Sequence, residues 1–407
     1  MSRRFDIAIA GAGPAGLAAA VFLKRAGHKV SVFERFEEPS PVGSGLILQP
    51  TGLTVLGLLG LFDEILGLGA RIERLHGADV DSGRTVLDVR YDRGTRGRFG
   101  LAVHRAALFS VLHRAAVREG IFVTTGHDLV ALDDTGERAV LLAVGGRRLG
   151  PFDLVVDATG ARSRLRRFAH NPAVPAPLAY GAYWASLGWR GDGFDENALL
   201  QRYQRASVMI GVLPIGRARR GGEKMAAFFW SLKPDEAELL RAAGLEAWKE
   251  RVVSLWPDCA AYTQQIESFE QMTLARYGHH TLLPPVGRGL AIIGDAAHST
   301  SPQLGQGANM ALLDACALAR ALESEADMAG ALTAYAAMRR RHVRLFQALS
   351  KLFTPFYQSD SDLLPMLRDR LVATVARVPP APRILAAMVS GTLVDAFATM
   401  GITEQDW

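Results

Sequence analysis

The sequence predicts an α/β fold: a Rossmann-like sheet domain, split by an inserted antiparallel β-sheet domain and closed by C-terminal helices. Three observations carry this expectation. At the N-terminus an apolar run, Phe5–Ala10, meets the glycine-rich turn Gly11–Gly16 and continues into the helical pattern Leu17–Ala26. Near the other end, Gly289–Ile293 reads as a buried strand, followed by a second glycine-rich stretch and a helix over Gln306–Leu322. Between them, from about Asn171 to Leu283, the character changes to β-rich runs at Tyr180–Arg190, Ser207–Pro214 and Met225–Leu232 with a helix near Glu236–Leu255.

The elements follow from local chemistry. Gly27 stops the first helix, and Lys29–Phe33 supplies a second strand ending at Glu34. Helical periodicity returns in Gly52–Leu66 and Arg105–Glu119, whereas Arg71–Arg90 alternates around the turn signal Asp81-Ser82-Gly83. Ile121–Val156 is β-rich and closes on Asp153–Val156, the continuous apolar run of a strand buried on both faces. From Met328 onward the pattern is helical, with breaks expected at Pro355 and Pro379–Pro382. The expected division is a discontinuous cofactor domain over residues 1–170 and 284–345, an inserted sheet domain over 171–283 and a C-terminal helical region over 346–407. Part of the sheet near 71–100 is expected on the substrate side.

Composition narrows the function classes. With 407 residues, 49% hydrophobic and 21% charged, the chain can bury a large core and resembles neither a disordered nor a fibrous protein. Its net charge of +5 comes from scattered arginines with no basic tract interleaved with aromatics, which argues against nucleic acid and is compatible with anionic ligands. The two cysteines, Cys259 and Cys316, lack metal-ligand spacing and read as buried thiols of a reducing compartment. No apolar run reaches membrane-spanning length and Met1–Arg4 leads straight into a strand, so a cytoplasmic protein is expected, monomeric or homodimeric. The apolar helices after Phe346 leave peripheral membrane contact as a less favoured alternative to core or subunit packing. No metal site is expected, because His279 and His280 have no third ligand at suitable spacing.

Gly11-x-Gly13-x-x-Gly16 lies between a strand and a helix, where glycines permit a tight turn and close approach of backbone to a pyrophosphate held at the helix N-terminus. Ala15 belongs to the same turn, and Glu34 is placed to accept hydrogen bonds from ribose hydroxyls, with Arg35 beside it. This motif alone points to a dinucleotide without distinguishing FAD from NAD.

A second constellation resolves that choice: Gly294-Asp295-Ala296-Ala297-His298, Pro302, Gly305-Gln306-Gly307-Ala308-Asn309 and Asp314. Here the chain resembles the aromatic-ring hydroxylase family of FAD-dependent flavoprotein monooxygenases, whose type member is para-hydroxybenzoate hydroxylase. The resemblance implies that Asp295 binds cofactor hydroxyls and that Gly305, Gly307, Ala308 and Asn309 present a helix start to the flavin. It also implies that Arg105, in Val103–Leu108, lies along the ribityl chain and phosphates, and that the Gly43-Ser44-Gly45 turn, Gly45 included, passes the flavin ring. The third motif, Asp153–Arg166, resembles the family's middle motif, with Thr159 where an aspartate is usual. Without that carboxylate, Arg162, Arg164 and Arg166 are expected to create a more positive field and a modest preference for NADPH over NADH.

The activity implied is reduction of FAD by NADPH or NADH, reaction with O2 to a C4a-hydroperoxide, and oxygen transfer to an aromatic or quinone-like substrate. No catalytic base is assigned. Pocket walls are expected from the inserted sheet: Tyr183, Met209, Phe228, Trp230 and His279 foremost, with Trp184, Phe229 and Tyr277 as further candidates. A halogenase or reductase of related fold, or a flavin-binding protein that does not hydroxylate, are the alternatives.

Overall fold

The computed structural model describes residues 4–38, 43–95, 97–372 and 378–404. A six-stranded sheet is built in the order Val286–Gly287, Leu290–Ile292, Leu154–Asp157, Asp6–Ala10, Lys29–Phe33, Val123–Thr124. All its pairings are parallel except the one joining Val286–Gly287 to Leu290–Ile292. Strands distant in sequence thereby become neighbours, with Ala10 opposite Asp157 and Asp157 opposite Ile292. The period of two along the first strand explains the layers. Ile7 and Ile9 pack against the helices Pro14–Arg25, Arg105–Arg118 and Gly307–Ser324, while Ala8 and Ala10 face the meander of Leu129–Asp133, Ala139–Ala143 and Arg148–Phe152.

The seven-stranded sheet has the order Thr273–Ala275, Gly181–Gly188, Met225–Leu232, Val208–Pro214, Ala198–Gln204, Arg74–Asp79, Thr85–Arg90. Arg74–Asp79 adds in parallel to Ala198–Gln204, so the first part of the chain supplies two strands of this sheet. Its faces are distinct. On one, Tyr183, Ile210, Val212, Phe228 and Trp230 are covered by Leu245–Leu255, whose Trp248 stands edge-on to Phe228 and Trp230 at ring-centroid distances of 6.1 and 6.3 Å. On the other, Leu213, Ala227 and the flank of Trp184 meet Ile47, Tyr91 and the C-terminal helix Ala381–Ser390.

Three expected elements differ in detail. The helix expected over Glu236–Leu255 is divided at Gly244, whose φ of 95° ends Ala237–Ala243 and starts Leu245–Leu255. Gly52–Leu66 resolves into Pro50–Leu58 and Phe62–Leu66, with Gly60 at φ 67° between them. Pro355 is not a break: Met328–Tyr357 runs through it, because it lies in the last turn and removes one hydrogen bond at an end that frays in any case.

Because Trp248 is buried against Phe228 and Trp230, Trp248→Ala should lower stability by about 3–5 kcal/mol through the cavity it leaves. Urea denaturation measures this, and FAD affinity of the folded variant should be unchanged. A variant as stable as wild type would show that this face is not a packed core.

Candidate active site

The three sequence motifs converge on one place. A Cβ on Gly11, where φ is 98°, would lie 2.6 Å from the Ala158 carbonyl oxygen, and one on Gly16 would collide with the Gly11 carbonyl while lying 3.3 Å from Ala158 Cβ. A Cβ on Gly294 would lie 3.3 Å from Ala15 Cβ and 3.2 Å from Ala311 Cβ. The first motif is thus wedged against the third by Gly11 and Gly16, and against the second by Ala15. Gly13 differs from its neighbours: a Cβ there would meet nothing within 4 Å. That open space sits at the N-cap of Pro14–Arg25, where the first amides of the helix have no partner within it and attract an anion.

Around this cradle stand the acids expected from the sequence. Glu34 is buried and accepts from the backbone N–H groups of Ala12, Arg35 and Phe36 at 2.8, 2.9 and 3.2 Å. A carboxylate has about four acceptor positions, so capacity remains for a ribose hydroxyl. Asp295 is exposed in the first turn of Asp295–His298, and its Oδ1 lies 3.7 Å from where a Gly307 Cβ would be, at the start of Gly307–Ser324. Gly307 and Ala308 are half-buried in that first turn, and Gly305 turns the chain into it at φ 60°. Asn309 is wholly buried instead. Its Oδ1 accepts from Gln49 N at 2.8 Å and its Nδ2 donates to Ile47 O and Gly305 O at 3.1 and 2.9 Å, so its side chain fastens Gly45–Leu48 to the helix.

Arg105 is exposed at the start of its helix, with its Cδ 3.1 Å from where a Gly43 Cβ would be, and its N–H donates to Ser44 O at 2.9 Å. Ser44 Oγ in turn meets Ala185 O at 3.1 Å and Ser186 Oγ at 2.9 Å, and a Gly45 Cβ would lie 2.5 Å from Ile215 Cγ2. This turn is therefore clamped to the large sheet. Arg35 is exposed, its guanidinium 4.5 Å from the Phe36 ring centre.

The five foremost pocket candidates separate by strand register. Tyr183, Phe228 and Trp230 point into the core covered by Leu245–Leu255, so the expectation that they wall the substrate pocket is corrected. Their immediate neighbours Trp184 and Phe229 point the other way, with ring centroids 4.6 Å apart. Met209 shares that second face with Phe229 and Tyr203, and accepts from Gln201 Nε2 at its sulfur at 3.3 Å. Trp184 Nε1 donates to Tyr277 Oη at 2.8 Å. Burial pushes the Tyr277 hydroxyl up to about 12, against the Trp184 hydrogen bond and the charge of Arg105, so it keeps its proton at neutral pH and can donate it. His279 is half-buried in a short pairing with Ala176, and burial followed by the charge of Lys351 lowers its pKa.

Thr159 is exposed, yet its hydroxyl and N–H both donate to Asp157 Oδ1, at 2.6 and 3.0 Å, and Ser163 Oγ donates to Asp157 Oδ2 at 2.5 Å. An acid thus lies two residues before the position where one is usual. Burial raises the Asp157 pKa in spite of these bonds and of Arg166. Arg166 is itself buried and donates to Ser163 O, Ala161 O and His280, while Arg164 pairs with Asp128 at 3.3 Å. Of the three arginines expected to make a positive surface field, Arg166 is therefore interior and Arg164 paired, which corrects that expectation for these two. Burial holds His280 near 4, hence neutral, and it meets Ser299 Oγ at 2.7 Å and the Ala296 carbonyl at 3.0 Å, which links the third motif to the second.

Beneath Gly294 lies a buried charge cluster that joins His298 and Asp314 of the second motif to Arg339. Asp314 Oδ2 accepts from Gly294 N at 2.8 Å and from His298 Nε2 at 2.6 Å, and its Oδ1 accepts from Arg339 Nε at 2.7 Å. Burial raises its pKa, but the charges and hydrogen bonds of His298 and Arg339 outweigh this and hold the carboxyl at about 2.

Fold and site together define an α/β protein with two large sheets, six- and seven-stranded, and a glycine-lined cradle at the turns of the first. The family model for the FAD binding domain matches residues 4–349. The chain is 27% identical to the aurachin C monooxygenase/isomerase of Stigmatella aurantiaca, covering 91% of this chain and 94% of that protein. It is 26% identical to the FAD-dependent urate hydroxylase of Mycolicibacterium vanbaalenii, covering 82% and 84%. Its fold is similar to that of 2-methyl-3-hydroxypyridine-5-carboxylic acid oxygenase, with a TM-score of 0.77 at 22% identity over 95% of this chain and 96% of that one. It is similar also to Klebsiella pneumoniae HpxO complexed with FAD and uric acid, with a TM-score of 0.78 at 20% identity over 95% and 96%. The chain belongs to the FAD-binding family of aromatic-hydroxylase-type flavoprotein monooxygenases.

The Asp314 carboxyl is held below its unfolded value near 3.9, so its contribution is complete above that pH and is lost as pH falls toward about 2. About 2–3 kcal/mol of stability should disappear over that window. Asp314→Asn leaves Arg339 buried without its counter-charge and should cost about 3–5 kcal/mol at neutral pH, with the acid slope reduced. Urea titrations between pH 7 and pH 2.5 measure both; an unchanged slope in the variant would remove Asp314 from the acid response.

Proposed function

We propose that this FAD-dependent monooxygenase uses NADPH or NADH and O2 to hydroxylate a small aromatic or quinone-like molecule. The observation that carries the reading is the convergence of Gly11, Gly16 and Ala158 with Ala15 and Gly294 around the open space at Gly13. The residues fit FAD. The helix start at Pro14 would hold the pyrophosphate, Glu34 the adenosine ribose with Arg35 alongside, Arg105 the phosphates and ribityl chain, and Asp295 a further pair of hydroxyls. Gly307 and Ala308 would offer helix-start amides to the flavin edge, where they favour negative charge. FAD held by these residues would supply the activation of O2, with the nicotinamide as electron donor.

The chain's own residues position the ring and keep water out. Trp184 and Phe229 form an aromatic wall on the sheet face turned toward the Ser44–Gly45 clamp. Tyr277, fixed by Trp184 and keeping its own proton, would donate a hydrogen bond to a carbonyl or phenolic oxygen of the substrate. One relative is named a urate hydroxylase, which supports a small planar substrate here.

The test is oxidation of NADPH and of NADH by FAD-loaded protein across a panel of hydroxylated aromatic acids and quinone-like rings, with 18O2 and mass spectrometry of the products. Substrate-stimulated oxidation with one 18O atom in the product is expected. Stimulated oxidation that yields only hydrogen peroxide with every ring would contradict hydroxylation. Asp295→Ala should weaken FAD binding about tenfold to a hundredfold, the size of one or two lost charge-assisted hydrogen bonds, with the circular dichroism spectrum unchanged.

A further inference from the structure

A second concave site lies away from the cofactor cradle. A cavity of about 460 Å³ is lined by Glu64, Leu68, Ser110, Arg114, Arg118, Arg219 and Arg220, with Ala218 between the last wall residues. That volume falls within the range of small-ligand sites. Four guanidinium groups against one carboxylate leave the lining a net charge of +3. Glu64 is engaged by Arg114 at 2.6 Å and approached by Arg118 at 3.5 Å. Arg219 and Arg220 have no carboxylate partner among the described residues.

The two walls have different origins. Arg114 and Arg118 stand in the last turns of Arg105–Arg118, where cations complement the helix C-terminus, and that alone would explain them. It does not explain Arg219 and Arg220, which come from the loop between Val208–Pro214 and Met225–Leu232. This loop is held in place. Arg217 N donates to Leu68 O at 2.7 Å, Met225 N to Gly216 O at 2.8 Å and Gly222 N to Arg219 O at 3.0 Å. Arg217 Nη1 closes on Gly222 O, and a Cβ on Gly216, at φ 65°, would collide with the Leu68 carbonyl. The loop therefore brings two further, solvent-exposed arginines to the cavity at the helix end, with Glu64 as the one carboxylate of the lining.

We propose that this cavity binds a polyphosphate, such as the phosphate chain of a nucleotide. Guanidinium groups bind phosphate oxygens in bidentate pairs, and a triphosphate brings a charge that matches the lining. Ser110 adds a hydroxyl donor, and Leu68 and Ala218 add an apolar wall suited to a sugar or base edge. The lining residues on this helix, Ser110, Arg114 and Arg118, lie five to thirteen residues beyond Arg105, or about 8–20 Å along the helix axis, toward the opposite end from the cofactor cradle. The concave shape favours a small ligand over a flat membrane surface.

The experiment is isothermal titration of inorganic tripolyphosphate into FAD-loaded protein at about 0.1 M salt, beside the double variant Arg219→Gln/Arg220→Gln. Saturable one-to-one binding, at least tenfold weaker in the variant with the flavin absorbance unchanged, is expected. Competition by ATP would identify a nucleoside triphosphate source, and competition by NADPH but not NADH would identify the phosphorylated nicotinamide; each supports the site. Absence of saturable binding, or equal binding by the variant, overturns it. The retained flavin colour keeps that outcome separate from a failure of the monooxygenase reading.

Discussion

The structure depends on one steric constraint, the approach of three backbone turns to distances that only glycine and alanine allow. Gly11 and Gly16 bring the first strand–helix turn against Ala158, and Gly294 seats its own turn between Ala15 and Ala311. At Gly11 and Gly16 an added methyl group would force backbone to move, and at Gly294, where φ is 62°, it would press on the Ala311 and Ala15 methyl groups. The parallel pairing of Asp6–Ala10, Leu154–Asp157 and Leu290–Ile292 delivers these turns to one edge of the sheet, as open α/β sheets do at the carboxyl ends of their strands. The space left at Gly13 is the complement of that closeness.

Buried polar groups lock the same region from behind. Asp314 joins Gly294, His298 and Arg339, drawing the two long helices onto the turn that carries Asp295. Asp157, Ser163, Arg166 and His280 do the same between the middle motif and the residues after Gly294. Buried charge networks of this kind hold one arrangement, because breaking a pair leaves a buried charge uncompensated, and that suits a site that must present several donors and acceptors at fixed spacing. Gln49 and Asn309 extend the scheme toward the large sheet, so that both walls of the site share one set of hydrogen bonds.

Much of this was legible in the sequence. The α/β class, the strand–glycine turn–helix unit and the family all followed from residue pattern, because steric need for glycine and the burial of parallel strands leave local marks. The face of a strand leaves a weaker mark. In Met225–Leu232 every residue from Ala226 to Leu232 is buried, so alternation could not separate Phe228 and Trp230, under Leu245–Leu255, from Phe229 on the cofactor side. Long-range compensation leaves none. The bonds of the Asn309 side chain to Gln49 and Ile47 leave no trace in the local pattern, and Thr159 reads as a missing charge until Asp157 is found beneath it.

The central claim is that the open space at Gly13 receives the pyrophosphate of one FAD. The most direct measurement is a fluorescence titration of FAD into apoprotein for wild type and Gly13→Val. Gly13 has φ −72° and ψ 179°, an extended conformation valine adopts freely, and its Cβ would meet no protein atom, so the variant should fold with wild-type stability. Saturation at one FAD per wild-type chain, with binding weakened at least a hundredfold in the folded variant, is the predicted result. Equal affinity in the two proteins would contradict the claim.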